Sequence, residues 1–112
     1  MPIIDQAIFE ELKQMSGEDF INELIDTFLE DAPKMIAEIK SALDAKDAET
    51  FRRAAHSMKS NANTFGATQL AALAKELEML GKENKLPDNG DQLWALEEAY
   101  ASVSEELKRL KS

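Results

Sequence analysis

The chain of 112 residues contains no cysteine and a single histidine. The first absence excludes disulfides and thiolate metal ligands, and the two together leave no donor set for a structural zinc centre. Only three prolines and four glycines punctuate the chain, and alternation of apolar and polar residues with a period of two is nearly missing. Both features argue against strands and for an all-helical fold. No apolar run approaches the roughly 18 residues needed to cross a bilayer. The opening MPIIDQAIFEEL turns acidic at once, unlike a secretory leader, so the cytoplasm is the expected compartment. Basic residues are also scarce, 13 against 22 acidic ones, for a formal charge of −9. Nucleic acid and anionic membrane would be repelled, and neither is expected as a partner.

Hydrophobic residues make up 44% of the sequence, enough to bury a core in one domain spanning residues 1–112. Residues 5 to 14 read as a short helix with Ile4, Ile8 and Leu12 inward. Ser16 and Asp19 have capping-box spacing and are expected to open a second helix. Its stripe is Phe20, Ile21, Leu24, Ile25, Phe28 and Leu29, continued by Met35, Ile36, Ile39 and Leu43 to about Ala45. Pro33 either sits in the first turn of a new helix or interrupts a continuing one. Asp47 suits the N-cap of the next helix and Gly66 its stop. Leu70, Leu73, Leu77 and Leu80 mark another helix, KLPDNGD at 85–91 a loop, and Leu93, Leu96, Tyr100, Val103, Leu107 and Leu110 a last helix. Short connections make neighbouring helices antiparallel. The expected architecture is an up-down four-helix bundle with the short N-terminal helix capping one end.

The segment FRRAAHSMKSNANTFG, residues 51–66, carries two stripes. Phe51, Ala55, Met58, Ala62 and Phe65 define a buried face. Arg52, His56, Lys59 and Asn63 repeat the spacing one position later, about 100° round the helix and toward solvent. Within the segment the formal charges are Arg52, Arg53 and Lys59, with no acid, which reads as a positive island. Ser57, Ser60 and Asn61 are small and leave the ring approachable. An exposed imidazole beside cations can attack phosphorus, with the cations steadying the dianion that results. Spacing alone also fits an ordinary surface histidine on a solvated helix.

AAHSMKSNANTFGA resembles the signature of histidine-containing phosphotransfer (HPt) domains, His-x-x-Lys followed by a small residue and a glycine at the helix end: His56, Lys59, Ser60 and Gly66. The similarity extends over FLEDAPKMIAEIKSALDAKDAETFRRAAHSMKS before it and LAALAKELEMLGKE after it, with the family's glycine at Gly81. Ser60 departs from the commoner glycine. The resemblance implies that His56 accepts the phosphoryl group and that Lys59 steadies it. It further implies that Glu78 orients the imidazole and that Lys82, one turn later, supplies a basic residue; read without it, Glu78 is equally a solvated helix position. Arg52, Arg53, Ser60, Asn63 and Gly66 complete the expected binding surroundings. Docking candidates are Phe9, Phe28, Leu29, Ala32 and Met35.

By the same resemblance the chain is a carrier in a two-component phosphorelay, taking phosphoryl from a receiver-domain aspartate and passing it to another receiver. Those receivers are the expected partners, one of them in a hybrid sensor kinase or not. No glycine-rich phosphate loop occurs, so no ATP-dependent kinase activity is expected. No cofactor is expected on the chain, since Mg2+ would come with the receiver. A monomer is expected. Three alternatives stand beside this reading: a non-catalytic helical adaptor, a histidine-kinase-type dimeric bundle needing two chains for four helices, and, weakest, a small-molecule enzyme.

Overall fold

The computed structural model describes residues 3–87 and 90–111. Among them are five α-helices and no strand: α1 Gln6–Ser16, α2 Glu18–Ala45, α3 Ala48–Phe65, α4 Thr68–Lys82 and α5 Asp91–Leu110. The long helices α2 to α5 form the bundle, and one chain supplies all four. Helix α1 lies against α2 and α3. No helix among the described residues is long and apolar enough to cross a membrane.

The starts and stops follow local chemistry. Asp5 caps α1, its Oδ1 accepting from the backbone N–H groups of Ala7 and Ile8 at 3.0 and 3.2 Å. The expected capping box at Ser16 and Asp19 is not used, and Ser16 is the last residue of α1. The break falls at Gly17 instead, at φ 85° and ψ 159°, a conformation open essentially to glycine alone. Asp47 caps α3, accepting from the Thr50 N–H at 3.1 Å and the Thr50 hydroxyl at 2.7 Å. Gly66 stops α3 in the left-handed conformation. Its carbonyl accepts from the Asp5 N–H at 2.8 Å, which fixes α1 to the end of α3. The loop expected at 85–91 links α4 to α5; Asp88 and Asn89 in it lie outside the described residues.

Helix α2 runs unbroken through Pro33. Proline has no N–H to donate to the carbonyl four residues back, at Leu29. The Tyr100 hydroxyl of α5 reaches that carbonyl at 3.5 Å, a long contact that supplies a donor where the helix has none. Burial pushes the Tyr100 phenol up from its ordinary range, against the lowering effect of a hydrogen bond with Ser104.

The core contains the whole expected stripe of α3: Phe51, Ala55, Met58, Ala62 and Phe65 are all buried. Phe28 bridges it to α5, with ring centroids 5.3 Å from Phe65 and 5.9 Å from Tyr100. Two expected inward residues stay outside: Ile8 is 38% exposed and Phe20 51%. On α1 the neighbouring Phe9 takes the interior position, so the buried stripe is rotated by one residue. The docking candidates Phe9, Phe28 and Ala32 are buried in the core. Leu29 and Met35 are partly buried against it. On α4, Leu73 and Leu80 are only partly buried, whereas Ala71, Ala74 and Gly81 are fully so. Small residues on that face let α4 pack intimately on α3, the most extensive helix pairing in the molecule.

Candidate functional site: a histidine shared between two helices

His56 projects from the middle of α3 with its side chain 55% exposed, as the outer stripe requires. Its Nδ1 lies 2.7 Å from Oε2 of Glu78 on α4. The second carboxylate oxygen, Oε1, lies 2.6 Å from Lys59 Nζ. Glu78 therefore bridges the imidazole and the ammonium from below, with only 14% of its side chain exposed, against 26% for Lys59. Burial alone would drive this carboxyl toward its neutral form. The hydrogen bonds from Lys59 and His56 outweigh that cost and hold Glu78 below the usual carboxylate range.

An ionised carboxylate only accepts hydrogen bonds, so Nδ1 is the nitrogen that carries the proton and donates it. In the neutral ring Nε2 then keeps its lone pair, and Nε2 is the nitrogen away from the carboxylate. Ser57 and Ser60 beside it are exposed and small. Their backbone carbonyls are occupied, by the Asn61 side-chain amide at 2.8 Å and the Thr64 hydroxyl at 3.1 Å. The arrangement is an oriented, solvent-open imidazole with a mostly covered carboxylate behind it and a cation one turn away.

The structure thus brings together His56, Lys59 and Glu78. The positive island is another matter, because its arginines are already partnered. Arg52 donates to Glu49 through Nη2 at 2.6 Å and Nε at 3.3 Å, and Arg53 Nε lies 3.8 Å from the same carboxylate. The hydrogen bond from Arg52 is the main reason that the Glu49 carboxyl sits below its ordinary range. Glu49 lies two residues before the segment whose charges read as uniformly positive. Its spacing of three and four from the arginines is the signal that identifies the pairs. Asn63 is exposed one turn beyond Lys59, and Lys82 is exposed one turn beyond Glu78, without an ion pair among the described residues. Gly66 does not join the site. It is buried beneath α1 and stands ten residues from His56, roughly 15 Å along the helix at 1.5 Å per residue. Among the described residues no group of three or more His, Asp or Glu side chains is placed to hold a metal ion.

The chain as a whole is similar to known proteins. The phosphorelay protein LuxU of Vibrio harveyi is 27% identical over 88 residues, which are 79% of this chain and 77% of LuxU. The multistep phosphorelay regulator 1 of Schizosaccharomyces pombe is 26% identical over 82 residues. Those residues are 70% of this chain, but only 28% of the yeast protein's length. The crystal structure of histidine-containing phosphotransfer protein B (HptB) from Pseudomonas aeruginosa PAO1 superposes with a TM-score of 0.91 at 28% identity, covering 98% of this chain and 95% of that one. The model of the Hpt domain matches residues 23–106, well over half of the chain and including all three residues of the cluster. The chain belongs to the Hpt family and is a histidine phosphotransfer domain of a phosphorelay.

Proposed function

We propose that His56 is the phosphoryl acceptor and that Nε2 is the attacking atom. The Nε2 lone pair bonds to the phosphorus of a receiver's aspartyl phosphate. The P–O bond to the aspartate breaks, and the carboxylate leaves with that electron pair. The ring gains positive charge as the P–N bond forms, and Glu78, already holding the Nδ1 proton, stabilises it electrostatically. The same retained proton makes the imidazole a good leaving group when a second receiver takes the phosphoryl on. Lys59 turns from Glu78 toward the dianionic phosphoryl group, exchanging one charge-assisted hydrogen bond for another. Arg53, Asn63, Ser60 and Lys82 form a polar rim for the receiver, with Arg52 held back by Glu49.

The chain then acts as a shuttle without ATP-dependent kinase activity of its own, as a cytoplasmic monomer. The receiver, of a hybrid kinase or another protein, brings the Mg2+. The observation that carries this reading is the chain's single imidazole, open to solvent and oriented at 2.7 Å by a carboxylate from the neighbouring helix. Incubation with a phosphorylated receiver should label the chain with an acid-labile, base-stable phosphoryl group, and His56→Gln should abolish the label while keeping helix content. Labelling that survives His56→Gln rejects the assignment. No labelling of the native chain by any of a panel of receivers would leave the helical adaptor as the better reading.

A further inference from the structure

The pairing of His56 with Glu78 is set by how closely α3 and α4 approach. One turn along the same seam, Gly81 is buried against the backbone of α3. A Cβ at position 81 would stand 3.0 Å from each of Arg52 N, Cα and Cβ. Two of these three atoms are main-chain and the third is attached directly to it, so no side-chain rotation clears the space. Arg52 precedes His56 by four residues and Gly81 follows Glu78 by three, so the two contacts are successive rungs between antiparallel helices.

We propose that Gly81 is a positioning residue for phosphoryl acceptance. It sets the α3–α4 separation at which Glu78 reaches Nδ1, and so keeps the proton on Nδ1 and the lone pair on Nε2. The proposal rests on the reading of His56 as acceptor. Helices α3 and α4 are joined at Gly66 and Ala67, the end of the seam remote from Gly81. A side chain at 81 therefore swings α4 outward about that connection, and Glu78, one turn nearer the hinge, moves by nearly the full amount. Lengthening this 2.7 Å bond by several tenths of an ångström takes it from the short, charge-assisted range to the length of an ordinary neutral hydrogen bond and weakens its hold on the proton. A ring released from the carboxylate reverts to the Nε2–H tautomer that imidazole side chains favour in water, and that tautomer has no lone pair at the exposed nitrogen.

With one histidine in the chain, ring 15N–1H correlation spectra report this site alone. The native protein is expected to show mainly the Nδ1–H tautomer. So is the control Gly90→Ala, where an added Cβ meets nothing within 4 Å. Gly81→Ala is expected to shift the ring toward Nε2–H and to slow acceptance from a phosphorylated receiver on the order of tenfold. Helix content should hold, because alanine favours the helix over glycine. In a Glu78→Ala background, Gly81→Ala should add no further slowing, since it acts through that carboxylate.

An unchanged tautomer ratio in folded Gly81→Ala, or slowing that adds fully to that of Glu78→Ala, overturns the proposal. If Gly81→Ala loses helix content, Glu78→Asp withdraws the carboxylate by one methylene with the seam intact. A shift to Nε2–H in that variant supports the spacing requirement, and retention of Nδ1–H overturns it. Failure of the native chain to accept phosphoryl at all strikes the acceptor reading instead, and leaves the tautomer result to stand or fall by itself.

Discussion

The two sides of the bundle are built on different principles. Along the α3–α4 seam the helices carry small buried residues, Ala55 on α3 and Ala71, Ala74 and Gly81 on α4, with Gly81 against the backbone of Arg52. Close approach there brings a carboxylate under an imidazole across 22 residues of sequence. Between α2 and α5 the contacts are large: Phe28 packs edge-on against Tyr100 and Ile36 lines a groove with the same tyrosine, with the Lys40–Glu97 ion pair at the rim. The first side buys precision at the ring with little apolar area per residue; the second contributes apolar area and tolerates a proline. Changes in the large-residue packing should therefore move stability, and changes in the small-residue seam should move chemistry.

The sharpest way to break that division is to remove a large core side chain that belongs to α3 itself. Phe51 is fully buried. Phe51→Ala should cost about 3–5 kcal/mol of unfolding free energy through lost burial and the cavity left behind. Acceptance by the fraction that remains folded should stay near native, because His56 lies on the other stripe. Urea denaturation followed by transfer assays under folding conditions measures both. A small stability loss coupled to a large fall in transfer rate would show that the core and the site are not separable.

The division also explains what the sequence revealed. The buried stripe of α3 was legible because five apolar residues at spacings of four and three leave one solution. His56 and Lys59 followed from the same wheel. Glu78 was not readable from spacing, because its contact depends on the register between two helices, and only the family resemblance pointed to it. The cap at Ser16 and Asp19 failed because local side-chain spacing competes with backbone freedom, and Gly17 alone can adopt the turn found there. Ile8 and Phe20 were misplaced because stripes wider than the buried face do not say which edge stays wet. Pro33 was undecidable, since a proline inside a helix depends on a partner for the freed carbonyl. Here the nearby donor is Tyr100, 67 residues later in the sequence.

On the chemical side, the next largest effect is expected from Lys59→Ala. The side chain is partly exposed and its ion pair with Glu78 is one of several restraints on α4, so unfolding free energy should change by less than about 1 kcal/mol. The phosphoform loses its cation, and its lifetime or its rate of formation should fall on the order of tenfold, equivalent to about 1.4 kcal/mol. Label decay after removal of the donor, compared with circular dichroism, tests both. An unaltered lifetime and rate would assign Lys59 to structure and blur the distinction between the two sides.

A smaller effect should appear in the acid limb of stability. The Glu78 carboxyl is depressed below 4.5 in the folded protein, because Lys59 and His56 outweigh the opposing effect of burial. A depressed carboxyl contributes stability that is fully present above the unfolded value. That contribution disappears as the pH falls through the lower folded value. Glu78→Gln removes this titration. The stability difference between native protein and variant should therefore be largest near pH 7 and shrink below pH 4.5. Urea midpoints at several pH values check it; a difference independent of pH would mean that the carboxylate charge contributes nothing to the fold.

The smallest effect belongs to the other side. Tyr100→Phe keeps the ring on Phe28 and removes only the hydroxyl that reaches the Leu29 carbonyl. At 3.5 Å the bond is long, so the loss should lie toward the bottom of the usual range, roughly 0.5 kcal/mol. The ring tautomer of His56 and the transfer rate should not change. If the hydroxyl is there to serve the carbonyl that Pro33 leaves open, Pro33→Ala restores a backbone N–H at that position. In that background Tyr100→Phe should cost less still. A Tyr100→Phe cost that is the same with proline or alanine at position 33 would mean that the hydroxyl serves Ser104 or solvent, and that α2 carries its proline without help from α5.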